Sequence, residues 1–136
     1  MSNLLLEKNV YVHTIAYFSV VVLSTIVFLA IFELVTKYHN WKEIKEGNLA
    51  VALATGGKIF GIANIFRYSI EQHALIIPMI IQGFFGFLLL LVGYFIFEFL
   101  TPTFSIDLEI QKGNKAVGFI SMTISIGLSF VIGASL

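Results

Sequence analysis

Apolar residues in this chain fall into four long blocks, separated by short stretches that carry most of the charge. The blocks run from about Val10 to Thr36, Asn48 to Phe66, Ala74 to Leu100 and Asn114 to Ala134. Each is long enough to cross a hydrocarbon core about 30 Å thick, which takes roughly 20 helical residues. No period-two alternation marks them, so barrel strands are a poor alternative. The pattern predicts an all-α membrane protein with four transmembrane helices, in which short connections make neighbours antiparallel. Thr101-Pro102 closes the third helix, because proline cannot continue it. Pro78 sits in its first turns, where a missing N–H matters little. Ser69, with Gln72 three residues on, reads as a capping box before that helix.

The chain also repeats itself. Ile31-Phe32-Glu33 and Thr36 match Ile96-Phe97-Glu98 and Thr101. Glu43-Ile44, Gly47-Asn48 and Ala50-Val51 match Glu109-Ile110, Gly113-Asn114 and Ala116-Val117, and Gly61 matches Gly127. One domain, residues 1–136, is expected to hold two hairpins, about 10–66 and about 74–135. A hairpin returns to its starting side, so the two copies are expected to share one orientation, related by a pseudo-twofold along the membrane normal, a parallel repeat.

The two helix types differ. The first and third are bulky, with runs such as Val20-Val21-Val22-Leu23 and Leu88-Leu89-Leu90-Leu91. The second and fourth carry small residues at four-residue spacing: Ala50 and Ala54, Gly57 and Gly61, then Ser121, Ser125, Ser129 and Gly133. Lipid offers little hydrophobic gain for helix association, so close backbone approach and hydroxyl bonds take its place. The second and fourth helices are expected inside, the first and third against lipid. With so little extramembrane mass, a homo-oligomer is expected.

Composition agrees. Hydrophobic residues make up 58% and charged residues 12%, with mean hydropathy +0.95. A soluble domain carries roughly 25% charged residues. Eight basic and eight acidic side chains cancel, which leaves no electrostatic case for nucleic acid as a partner. There is no cysteine, so disulfides and thiolate metal sites are excluded. The first block is too long for a signal-peptide core and no small-x-small site follows it, so the first helix is expected to be retained. Lys37, Lys42, Lys45, Lys112 and Lys115 gather in or beside the first and third connections, with only Lys8 and Arg67 opposite. The positive-inside rule then places both termini on the outer side.

The doubled motif carries a resemblance. Glu43-Ile44-Lys45-Glu46-Gly47-Asn48, followed by Gly56-Gly57-Lys58-Ile59 and Gly61, with a second copy at Glu109–Gly118, resembles the bacterial "domain of unknown function 350" membrane family over nearly the whole chain. The resemblance implies a multi-pass protein of the bacterial cytoplasmic (inner) membrane. It implies an association of some members with envelope-stress genes, hence membrane-stress proteins as partners beside the lipid bilayer. It supplies no chemistry.

Candidate chemistry starts with Lys58, near the middle of the second helix. A charge at mid-bilayer costs roughly 3 kcal/mol on insertion scales and normally faces a partner or water. It reads either as an ion site or gate, or as a lysine that snorkels or pairs with a carboxylate. Its repeat counterpart is Ile124. Glu33 and Glu98, matched near the ends of the long helices, either flank a shared axis that attracts cations or bond to loop lysines such as Lys37. Gly47-Asn48 and Gly113-Asn114 read as helix caps after a sharp bend, with Asn48 and Asn114 the alternative ligand groups. Asn64 reads as an interfacial polar residue. Trp41, Tyr38, Tyr68 and Tyr94 read as interface anchors. His13, His39 and His73 show no metal-ligand spacing, and no cofactor is indicated. No nucleotide loop, serine elbow or zinc helix is present, so an enzyme is not expected. Two functions follow: a non-enzymatic, structural or envelope-stress-associated membrane component, or a small ion channel.

Overall fold

A computed structural model describes residues 2–72 and 75–136, with side chains from residue 9 onward. His73, Ala74 and the Lys8 side chain, considered above, lie outside the described residues. The elements are α1 (Ser2–Val35), α2 (Asn40–Lys45), α3 (Leu49–Gln72), α4 (Ile76–Phe99), α5 (Ile106–Gln111) and α6 (Lys115–Ser135). The spans Asn9–Val35, Leu49–Gln72, Ile76–Phe99 and Lys115–Ser135 are long and apolar enough to cross a membrane. The fold is all-helical with four candidate membrane-spanning helices.

The connections hold more structure than their polarity predicts: α2 and α5 are six-residue helices. Each ends in a glycine at positive φ, Gly47 at 87° and Gly113 at 88°, a conformation that L side chains rarely adopt. The asparagine that follows caps the next span. Asn48 Oδ1 accepts from Val51 N at 3.2 Å, and Asn114 Oδ1 accepts from Val117 N at 3.3 Å. Their amides reach back to Glu43 (3.3 Å) and Glu109 (3.0 Å). The capping reading of both Gly-Asn pairs is thus met, bond for bond. The Asn48 amide also donates to the carbonyls of Ile110 and Gln111, tying α3 to α5.

Helices α3 and α6 run parallel and nearly touch. A Cβ added to Gly118 would stand 2.6 Å from the Ala50 carbonyl oxygen, and one added to Gly57 would stand 2.6 Å from Met122 Cα. Further along, Gly61 faces Ser125, the Asn64 amide donates to Ser129 Oγ at 3.0 Å, and Gly133 lies under the Tyr68 ring. Asn64 is therefore no interfacial residue. It is buried, because the small Ser129 opposite leaves room for a bond between helices. Within one chain α3 is central: 61% of its most apolar stretch is buried, against 22%, 28% and 33% for α1, α4 and α6. The expected interior position holds for α3. For α6 it holds on one face only, because among the described residues no helix of the same chain covers the other.

Helix α4 lies against both, with Phe66 over Gly83 and Ile65 over Gly86. An aromatic cluster joins α1 to this core. Phe28 stacks on Phe87 with centroids 4.1 Å apart, and Phe32 meets Phe87 and Tyr94 edge-on. Ser69 does not begin a capping box. It lies inside α3, which continues through the polar residues 67–72, and its Oγ donates to the Met79 carbonyl at 2.8 Å. The position before α4 is Leu75, with no side-chain cap. Gly118→Val should push α3 and α6 apart, since backbone stands where its side chain would go. Overpacking of this kind costs about 1–3 kcal/mol or more, so denaturant titration in detergent should show an earlier midpoint than wild type. The same change at Gly127, where a Cβ meets nothing within 4 Å, should leave the midpoint of one chain unchanged.

Candidate functional site, a lysine enclosed by aromatic rings

Lys58 lies on α3 nine residues beyond Leu49, about 14 Å of helix at 1.5 Å per residue. Side chains on a helix lean toward its N-terminus, so Lys58 reaches back toward the end where α2 and α5 lie. It does not reach water. The residue is 0% exposed. Its Nζ donates to Tyr38 Oη at 3.1 Å. The rings of Phe32, Tyr38 and Tyr94 surround it at 4.9, 5.2 and 5.3 Å. A desolvated ammonium gains about 2 kcal/mol from a well-placed ring, and less at an exposed site. Three rings and a hydroxyl thus offset much of the penalty for leaving water.

The cage draws on both halves of the chain. Phe32 comes from the end of α1 and Tyr94 from α4. Tyr38 comes from the link between α1 and α2, whose backbone folds inward so that the ring is 2% exposed. Tyr38 and Tyr94 are therefore core residues, correcting their reading as interface anchors. Trp41 is 59% exposed, as an anchor would be. Behind the cage stands Asp107 of α5. Tyr94 Oη donates to its Oδ1, and the Lys37 backbone N–H donates to Oδ2 at 3.2 Å. The described ion pairs join His39 to Glu33, Arg67 to Glu71 and Lys112 to Glu109, and none includes Lys58. The lysine faces its carboxylate across tyrosine hydroxyls, not directly.

Asp107 is the residue that sequence reasoning missed. It is the chain's single aspartate, and Ser105 two positions earlier is an N-cap signal for α5: Ser105 Oγ accepts from Leu108 N at 3.3 Å. Burial pushes the Asp107 carboxyl above the usual carboxylate range, against the Lys37 N–H and the charges of Lys58 and Lys37. Burial, then the charges of Asp107 and Glu98, push the Tyr38 phenol up as well, so it stays a neutral hydroxyl.

The other candidates do not join the cage. Glu33 bonds His39 Nδ1 at 3.1 Å rather than Lys37. Glu98 Oε1 accepts from Ser105 Oγ at 3.3 Å and from Ile106 N at 3.1 Å, fastening α5 to α4. Each glutamate is thus bonded within its own connection, Glu98 through Oε1 while its buried Oε2 has no hydrogen-bond partner. Asn48 and Asn114 are caps. His13 stacks on Tyr17, and no group of three metal-ligating residues occurs among the described residues.

A four-span helical bundle with a charged group sealed inside and little mass outside defines a small multi-pass transmembrane protein. The chain belongs to the family described as Domain of Unknown Function (DUF350), which it matches over residues 4–136. It is 60% identical over 129 residues to the UPF0719 transmembrane protein YshE of Bacillus subtilis (strain 168), covering 95% of this chain and 96% of that protein. No solved structure matches it.

Two outcomes test the cage. Tyr38→Phe removes the oxygen that Lys58 bonds and should cost about 1–3 kcal/mol, the range for an orphaned buried polar group. In a Lys58→Met background the same change should cost far less, so a double-mutant cycle should give a clear coupling energy. The second outcome concerns pH. A raised carboxyl contributes stability that is present below its unfolded value and is lost as pH rises through the raised one. The unfolding free energy should therefore fall across that interval, and Asp107→Asn should remove the slope. Infrared spectra should show a protonated-carboxyl band in wild type, absent from Asp107→Asn, that outlasts the exposed glutamates as pH rises.

Proposed function

We propose that this chain is a non-enzymatic component of the bacterial cytoplasmic membrane, homo-oligomeric and structural or envelope-stress-associated, and that no single copy conducts. The enclosure of Lys58 carries this reading. A gate or ion site along a water-filled path needs an ammonium that meets water, whereas this one is spent on three rings and a tyrosine hydroxyl. The duplicated Glu33 and Glu98 lend a channel no support either, since each is bonded within its own connection.

The same reading takes the chain as two parallel copies of one hairpin. It is supported by the matched bonds at the two Gly-Asn pairs and by the parallel course of α3 and α6. The lysine-rich connections support a cytoplasmic position for α2 and α5 and an outer position for both termini. Purified protein in planar bilayers should give no conductance, in wild type or in Lys58→Ala. Conductance in wild type that Lys58→Ala abolishes or alters would overturn the reading in favour of an ion channel.

A further inference from the structure

Each inner helix carries both halves of one contact, with one half used and one open. On α3, the residues that meet α6 include Ala50, Gly57, Gly61, Asn64 and Tyr68. Gly47 and Gly113 set the repeat at 66 positions. The matching residues on α6 are Ala116, Thr123, Gly127, Phe130 and Ala134, and all five are exposed. The converse also holds. On α6, the residues that meet α3 are Gly118, Met122, Ser125, Ser129 and Gly133. Their matches on α3 are Ala52, Gly56, Ile59, Ala63 and Arg67, of which Gly56, Ala63 and Arg67 are exposed and the others partly so.

Packing within one copy gives Gly56 and Gly127 no reason to be glycine, since a Cβ at either meets nothing within 4 Å. At the position matching Gly127 the reason is visible: Gly61 is pressed against α6, where a Cβ would stand 3.2 Å from the Ser125 carbonyl oxygen. The contact is also level. Gly57 meets Met122 where its match is Thr123, and Tyr68 meets Gly133 where its match is Ala134. The step from one hairpin to the next is thus a rotation with almost no shift along the helix axes. All copies in a bilayer share that axis direction and depth, so the same step can be taken again between chains. Because the used faces have exposed counterparts, the rotation is not the twofold expected from the sequence; a head-to-tail contact repeated by rotation closes into a ring when the rotation divides a full turn.

We infer that the open face of α6 seats on the open face of α3 of a second copy, repeating between chains the α3–α6 contact made within one, in a head-to-tail ring. This rests on the homo-oligomeric reading above and on the hairpin duplication, and names the surface. It sets Ala116 against Ala52 of the next copy, where the chain itself sets Ala50 against Gly118. It sets Thr123 against Gly56, and Gly127 against Ile59.

The native chain has no cysteine, so crosslinking is clean. Two differently tagged chains are co-expressed in membranes, one Ala52→Cys and the other Ala116→Cys, and oxidised. Crosslinks between the two tags are expected, in clear excess over same-residue crosslinks. Gly127→Leu should weaken the association constant about tenfold, the effect of 1.4 kcal/mol, while the unfolding midpoint of the single chain stays unchanged. Same-residue crosslinks in excess would overturn the head-to-tail surface in favour of twofold pairing. No crosslinks, with native mass spectrometry in lipid discs still showing oligomers, would overturn this surface and leave the oligomeric reading standing. Monomers alone would overturn both.

Discussion

The backbones of α3 and α6 come so close that a glycine, alanine or serine stands on at least one side of each near contact. Everything else in the bundle is arranged around that approach. In hydrocarbon, apolar side chains gain little by leaving lipid for one another, so the association needs contact at short range. Gly57, Gly61, Gly118 and Gly133 permit it, and the Asn64–Ser129 bond adds a directional element. The two Gly-Asn turns feed both helices into the membrane from one end and in one direction, which lets small residues meet small residues along their length.

With α3 set against α6, its face carrying Ile62, Ile65 and Phe66 is covered by bulkier material from α1 and α4, while Gly56, Ala63 and Arg67 stay exposed. Their aromatic side chains fill the space on the far side of α3 and, at one end, become the walls around Lys58. Among the described residues, Lys58 and Asp107 are the ionisable side chains, tyrosines aside, drawn into this interior. The lysine is tolerated because ring faces, a phenol and, one hydroxyl further, a carboxyl share the work that water does elsewhere. Replacing such a group by an apolar residue is often neutral for stability. The cage therefore specifies which elements meet, more than it adds to the strength with which they hold.

Much of this was legible in the residues. Block length announced the spans, four-residue spacing of Gly, Ala and Ser marked the α3–α6 seam, and the doubled Gly-Asn announced the turns. These features are local, so they can be read without the fold. What escaped was built from distant parts. Lys58 was visible as an anomaly, but Tyr38 and Tyr94 looked like interface anchors, and Asp107 stood in no motif that singled it out. Only the folded chain brings the Lys37 backbone to Asp107, 70 positions on. Ser69 misled for a related reason: a Ser-x-x-Gln spacing describes a cap only where a helix begins, and α3 had not yet ended.

The enclosure of Lys58 has a consequence for the order in which the protein is made. The first hairpin delivers the lysine together with Phe32 and Tyr38, but Tyr94 and Asp107 belong to the second. Residues up to the end of α3 therefore supply only part of the enclosure, and α4 and α5 complete it with Tyr94 and, behind it, Asp107. A chain that stopped before α4 would leave the Lys58 ammonium without one of its three rings, so the stability of the first two spans depends on residues made after them.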